Sequence, residues 1–98
     1  MTRLKTKKIT VNFLQRKSAD FFRGKRAIVK STLFNGRGET LAEGTIVFIR
    51  GKNHDLPTSC LDIKHDETKI KMDCVFCENL ELIENPEEIE VNNPEILQ

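Results

Sequence analysis

Residues 26–34 read RAIVKSTLF, residues 45–50 TIVFIR, residues 59–64 SCLDIK and residues 68–76 TKIKMDCVF. β-Branched residues are dense in these runs, and turn-forming residues separate them, the pattern of short strands joined by loops. Ala27 and Val29 fall on one face of the first run. Ile46 to Ile49 are four consecutive apolar residues, which predicts a strand covered on both faces or bent sharply between two sheets. The last two runs predict a hairpin around His65-Asp66-Glu67. Across it Leu61 and Ile63 would share a face with Ile70, Met72, Cys74 and Phe76. After a break at CEN (77–79), LELIE (80–84) predicts a last brief strand.

Working outward, NGRGETLAEG (35–44) holds three of the five glycines. Asn35-Gly36 tolerates positive φ and marks a turn, so the segment reads as a ten-residue excursion anchored by an inward Leu41. GKNHDLP (51–57) is a loop closed by Pro57. SADFFRGK (18–25) predicts one capped turn, with Ser18 as N-cap and Gly24 ending it. Upstream, Ile9, Val11 and Phe13 alternate with Thr10 and Asn12, which predicts a strand after a loose basic leader of about seven residues. Residues 85–98 are acidic, carry Pro86 and Pro94, and predict a disordered tail. The domain organisation is therefore a basic arm at 1–17, a β domain at 18–84 and an acidic tail at 85–98.

Ninety-eight residues allow one small domain, which buries only about 60–65% of the surface its unfolded chain exposes and leaves no room for a deep cleft between subdomains. The run FFRGKRAIVKSTLFNGRGETLAEGTIVFI (21–49) is similar to the opening of a Src-homology-3-like barrel. A glycine-led first strand meets a long wandering loop and then a Gly-x-Val-type strand, here Gly44-Thr45-Ile46-Val47. CENLELIE (77–84) resembles the short helical turn and closing strand of the same fold. The chain is also similar to the KOW and Tudor-like members, without their full glycine-flanked signature. The resemblance spans roughly residues 20–84 and implies an all-β fold, a small five-stranded barrel with an extra N-terminal strand or arm. One such fold hosts many functions.

Six Phe with no Trp and no Tyr argue against proline-rich-ligand recognition and methyl-lysine cages, whose walls usually carry Trp or Tyr. No stretch approaches the roughly 18–20 apolar residues of a membrane span, and the basic N-terminus lacks a secretory apolar run. The odd count of three cysteines fits poorly with a disulfide framework, and a reducing cytosol is the expected location. The net charge of +1 conceals three blocks. Residues 1–30 carry ten cations against Asp20, residues 31–72 carry six of each sign, and residues 73–98 carry eight acids and no base.

Cys60, Cys74 and Cys77 with His54 or His65 have the composition of a zinc site. On an extended strand, however, Cys74 and Cys77 point to opposite faces, so the residue pattern favours Cys60 and Cys74 as small apolar core residues and no metal or cofactor. A thioredoxin-like reading of Cys74-x-x-Cys77 lacks the helix N-terminus that such chemistry needs. His54-Asp55 and His65-Asp66 fall in loops, where both residue types are ordinary turn formers. Gly36-x-Gly38 has no following helix and is turn chemistry rather than a phosphate loop.

The basic third is the strongest functional signal. The expectation is a non-enzymatic module that binds a protein partner or itself through its charged extensions or an exposed strand edge. The alternative is a nucleic-acid-associated protein whose Arg3, Lys5, Lys7, Lys8, Arg16, Lys17, Arg23, Lys25 and Arg26 contact phosphates, with Arg37 and Arg50 on flanking loops. In that alternative Phe13, Phe21 and Phe22 would stack on unpaired bases if they were exposed.

Overall fold

The computed structural model describes residues 4–87. Along this stretch run β1 (Thr6–Lys8), α1 (Val11–Arg16), α2 (Ala19–Phe22), β2 (Arg26–Val29), β3 (Leu33–Phe34), β4 (Thr40–Leu41) and β5 (Ile46–Lys52). They are followed by β6 (Cys60–Lys64), β7 (Lys71–Phe76), a 3-10 turn (Cys77–Asn79) and β8 (Leu80–Ile83). The small all-β domain expected from the sequence is present, with two short helices added at its N-terminal side. Among the described residues no helix is long and apolar enough to cross a membrane.

Six strands form one antiparallel sheet in the order β1-β8-β2-β5-β6-β7, and β3 and β4 form a separate small hairpin. The sheet is open: β1 and β7 are its two edges, so the expected barrel is not closed by a continuous ladder. Its buried face carries Ala27, Val29, Val47, Ile49, Leu61, Ile63 and Leu80, on which Leu14 and Phe22 pack. Ala27 and Val29 share the inward face as their spacing requires. The β2–β5 ladder is extended by Gly24 N–H donating to the Ile49 carbonyl (2.8 Å) and Ile49 N–H to that of Lys25 (2.7 Å).

The N-terminal arm corrects two expectations. The leader is not loose, because Thr6–Lys8 pairs with Ile83–Glu81 of β8. The segment read as a strand is helical from Val11. Thr10 caps it, its Oγ1 accepting the Phe13 N–H at 3.1 Å, and Leu14 N–H donates to the Thr10 carbonyl. Ile9 and Phe13, four residues apart, satisfy a helical period as well as the alternating one. Val11 separates the two periods: a strand would bury it beside Ile9 and Phe13, and it is 47% exposed. The turn at residues 18–25 forms as expected, with Ser18 Oγ accepting the Phe21 N–H and Gly24 at φ +85°.

Leu41 is buried as the anchor of the 35–44 excursion. Asn35 organises the tip: its Oδ1 accepts the N–H groups of Arg37 and Glu39, and its Nδ2 donates to Glu39 Oε1 at 2.7 Å. Two irregularities then shape the far half of the sheet. Between Ile49 and Gly51 the β5–β6 register shifts at Arg50. Of the four apolar residues of TIVFIR, Val47 and Ile49 are buried while Ile46 and Phe48 are half-buried on the other face of a single sheet, so the strand is neither fully covered on both faces nor bent between two sheets. Opposite Asp62, β7 places Asp73 and Cys74 where one residue would fit, with Cys74 at φ +59°. That bulge overturns the expected shared face, since Met72 and Val75 are buried while Cys74 and Phe76 are exposed. The expected disordered tail lies outside the described residues from 88 onward. Its beginning is held, with Asn85 Oδ1 accepting the Lys5 N–H at 2.6 Å and Arg26 donating to the Pro86 carbonyl at 3.4 Å.

Candidate nucleic-acid interface

Phe13 of α1 and Phe21 and Phe22 of α2 meet edge to face, with ring centroids 5.1–5.9 Å apart. Phe22 is fully buried and Phe13 nearly so, which removes both from the stacking role considered for them; Phe21 keeps a partly exposed ring. Three ammonium groups lie over this cluster. Lys7 Nζ from β1 is 4.9 Å from the Phe13 centroid. Lys17 Nζ, at the C-cap of α1, lies 4.9 Å from Phe21 and 5.8 Å from Phe13. Lys25 Nζ, from the loop before β2, is 4.6 Å from Phe21. Each such contact is worth about 0.5–1 kcal/mol at an exposed site, which offsets some of the repulsion between like charges without neutralising them. Among the described residues none of the three makes an ion pair. Beside them a cleft of about 690 Å³ is lined by Phe21, Lys25, Arg26 and Phe48 together with Glu84, Pro86 and Glu87. The Arg26 guanidinium stacks over Phe48 at 5.0 Å.

Among the described residues no other cation expected to contact phosphate lies over this ring cluster. Arg3 lies outside the described residues. Lys8 follows Lys7 in the strand and therefore lines a different cleft, with Lys30. Arg23 is held by Asp20 at 2.7 Å. Lys5 and Arg16 are exposed. Arg37 and Arg50 do meet, in a polar cleft that also contains Lys69 and Lys71, but Arg50 is bound to Asp73 at 2.9 Å. Lys69, in the turn before β7, and Lys71, at its start, escaped the sequence reading because they fall in the block whose charges cancel.

The cleft that Lys8 and Lys30 line, of about 630 Å³, is otherwise mainly apolar and runs between the start of α1 and the end of β7, with Val11 and Phe76 (50% exposed) on its walls. Recognising it in the sequence required the helical reading of residues 11–16, which turns Val11 outward.

The cysteines do not assemble with a histidine. Cys60 is fully buried as expected, but Cys74 is exposed on the bulge, so it is not the small core residue the strand pattern implied. Cys74 Sγ donates to Cys60 Sγ at 3.2 Å. Burial, together with the adjacent Cys74 thiol, pushes the Cys60 thiol up to about 12, and burial also raises that of Cys77. His65 Nδ1 is engaged by Thr68 Oγ1 at 2.7 Å, and His54 is exposed in the loop after β5. Among the described residues no three His, Cys, Asp or Glu side chains gather as metal ligands.

Comparison of the chain with protein-family models, with curated proteins and with solved structures finds no match.

Proposed function

We propose that this protein is a non-enzymatic nucleic-acid-binding module of the Src-homology-3-like kind, which holds phosphates on Lys7, Lys17 and Lys25. The observation that carries the reading is the convergence of three ammonium groups, from three separate elements, over the Phe13–Phe21 pair, none of them in an ion pair among the described residues. A polyanion presents closely spaced charges to such a patch and releases counterions on binding it. The strand order, the hairpin within the first connection and the 3-10 turn before β8 support the Src-homology-3-like assignment. Both sheet edges resist strand addition: β1 is three residues long and carries Lys7 and Lys8, and β7 is interrupted by its bulge. That removes support from partner binding through an exposed edge.

The test is fluorescence anisotropy with generic single- and double-stranded oligonucleotides over a salt series. Affinity should fall steeply with salt, and the triple variant K7Q/K17Q/K25Q should lower the logarithmic salt slope by about 2–3. The pair R37Q/R50Q, in the separate polar cleft, should lower it by less. Absence of binding at low salt, or a triple variant with an unchanged slope, overturns the proposal.

A second reading, the protein-interaction module, is favoured by the apolar cleft with exposed Val11 and Phe76. Under it a partner survives nuclease treatment and is lost in V11D and F76D; retention in both variants refutes it.

A further inference from the structure

We infer that Cys60 and Cys74 form a reversible dithiol–disulfide pair, making the β6–β7 bulge a redox modification site for a hydroperoxide oxidant. The inference is independent of the polyanion reading. In β6 and β7 Cys60 is registered with Phe76, so Cys74 is its diagonal neighbour, and in a regular ladder such residues stand roughly 7–8 Å apart. Here the two sulfurs are 3.2 Å apart. The bulge closes the gap: Asp73 and Cys74 together oppose Asp62, and Cys74 takes φ +59°. A glycine adopts that conformation freely, whereas a side chain is strained in it, and the side chain found there is the thiol that meets Cys60. The bulge is also fixed, because Asp62 Oδ1 accepts both the Cys74 N–H at 3.0 Å and the Asn53 Nδ2 at 2.8 Å.

Exposure divides the roles. Cys74 is open to solvent and meets the oxidant, whereas Cys60 is fully buried with its sulfur against that of Cys74. The Cys74 thiolate attacks one oxygen of hydrogen peroxide, the O–O bond breaks, and the released hydroxide takes up a proton to become water. Cys74 is then a sulfenic acid. Cys60 Sγ attacks the Cys74 sulfur, the S–O bond breaks, and the departing hydroxide leaves as water with the proton that Cys60 gives up. In sum two thiols lose two electrons and two protons, and one peroxide becomes two waters. A dithiol reductant reverses the bond by exchange.

The experiment treats the folded wild-type chain with hydrogen peroxide, counts remaining thiols and maps peptides without reduction. The expected result is loss of two of the three thiols in a monomer, with a Cys60–Cys74 linkage that dithiothreitol removes. Fragmentation between Val75 and Phe76 distinguishes Cys74 from Cys77. In Cys60→Ser the same treatment should leave Cys74 as a sulfenic acid that dimedone traps. A linkage through Cys77, a bridge between two chains, or overoxidation of Cys74 in wild type with Cys60 still a thiol overturns the inference. The wild-type map decides the matter even where Cys60→Ser fails to fold.

Discussion

Cys74 offers a direct measure of the strain held in the β7 bulge. Its φ of +59° lies in the left-handed region, where a Cβ approaches the following carbonyl oxygen at a cost of about 1–2 kcal/mol. Glycine avoids that cost but has a more disordered unfolded state, which takes back about 0.4–1 kcal/mol. Cys74 is exposed, and its substitution gives up little burial beyond the 3.2 Å contact with Cys60. The balance predicts that Cys74→Gly is more stable than Cys74→Ala, which keeps the Cβ, by about 0.5–1 kcal/mol. Urea unfolding in the presence of a reductant, so that no disulfide contributes, reads this as a midpoint difference of roughly 0.3–0.7 M. An alanine variant as stable as the glycine variant, or more so, refutes the left-handed bulge and removes one support of the redox inference.

Thr10→Ala should destabilise the chain by about 1 kcal/mol by removing the cap of α1, whereas a strand at residues 9–13 predicts little loss; thermal unfolding decides between them. Asn53→Ala should lose about 2 kcal/mol, because Asn53 Oδ1 accepts the N–H groups of Asp55 and Leu56 while its Nδ2 holds Asp62; a loss under about 0.5 kcal/mol, the usual range for a surface substitution, contradicts this. The Cys60 thiol, raised from 9.0 to about 12, binds its proton more tightly folded than unfolded. Its contribution is therefore complete below pH 9 and is lost as pH rises toward 12, at no more than about 1.4 kcal/mol per pH unit. Denaturant titrations across that range should show a shallower alkaline decline in Cys60→Ala, and an unchanged decline refutes the assignment.

The strands were legible where side-chain alternation and turn chemistry agreed. Ala27 and Val29 turn inward, Leu41 anchors the excursion, Ser18 caps its turn, and the hairpin turns near His65-Asp66-Glu67. Legibility failed where two periods fit the same residues, as at Ile9 and Phe13, and where a bulge reset the alternation, as at Cys74. A bulge adds one residue to one strand, and neither Asp73 nor Cys74 announces it in the sequence. The candidate site was half legible for a related reason. Lys7, Lys17 and Lys25 are named from the sequence only as three of eleven cations, and their separation from Lys8, Arg23 and Arg50 depends on strand faces and on pairing with Asp20 and Asp73.

Segregation of charge along the sequence is therefore a poor guide to the charge that a partner meets. The fold lays β8, from the acidic block, between β1 and β2 of the basic block. Thr6 Oγ1 donates to Glu81 at 2.6 Å, Lys30 Nζ lies 3.9 Å from Glu81, and Arg26 reaches the Pro86 carbonyl. Across those strands one pair of opposite charges, Lys30 and Glu81, meets, and the lysine trio on the helical side is among the cations without an ion pair in the described residues. Its field is short-ranged, because at physiological ionic strength screening confines it to about 8 Å. A single acidic side chain at that range satisfies one ammonium and leaves two, whereas duplex nucleic acid carries one phosphate charge for about every 1.7 Å of axis and meets all three together. Under the proposed reading, spacing of the charge on the partner, rather than its sign alone, is what favours a polyanion over an isolated carboxylate at this face.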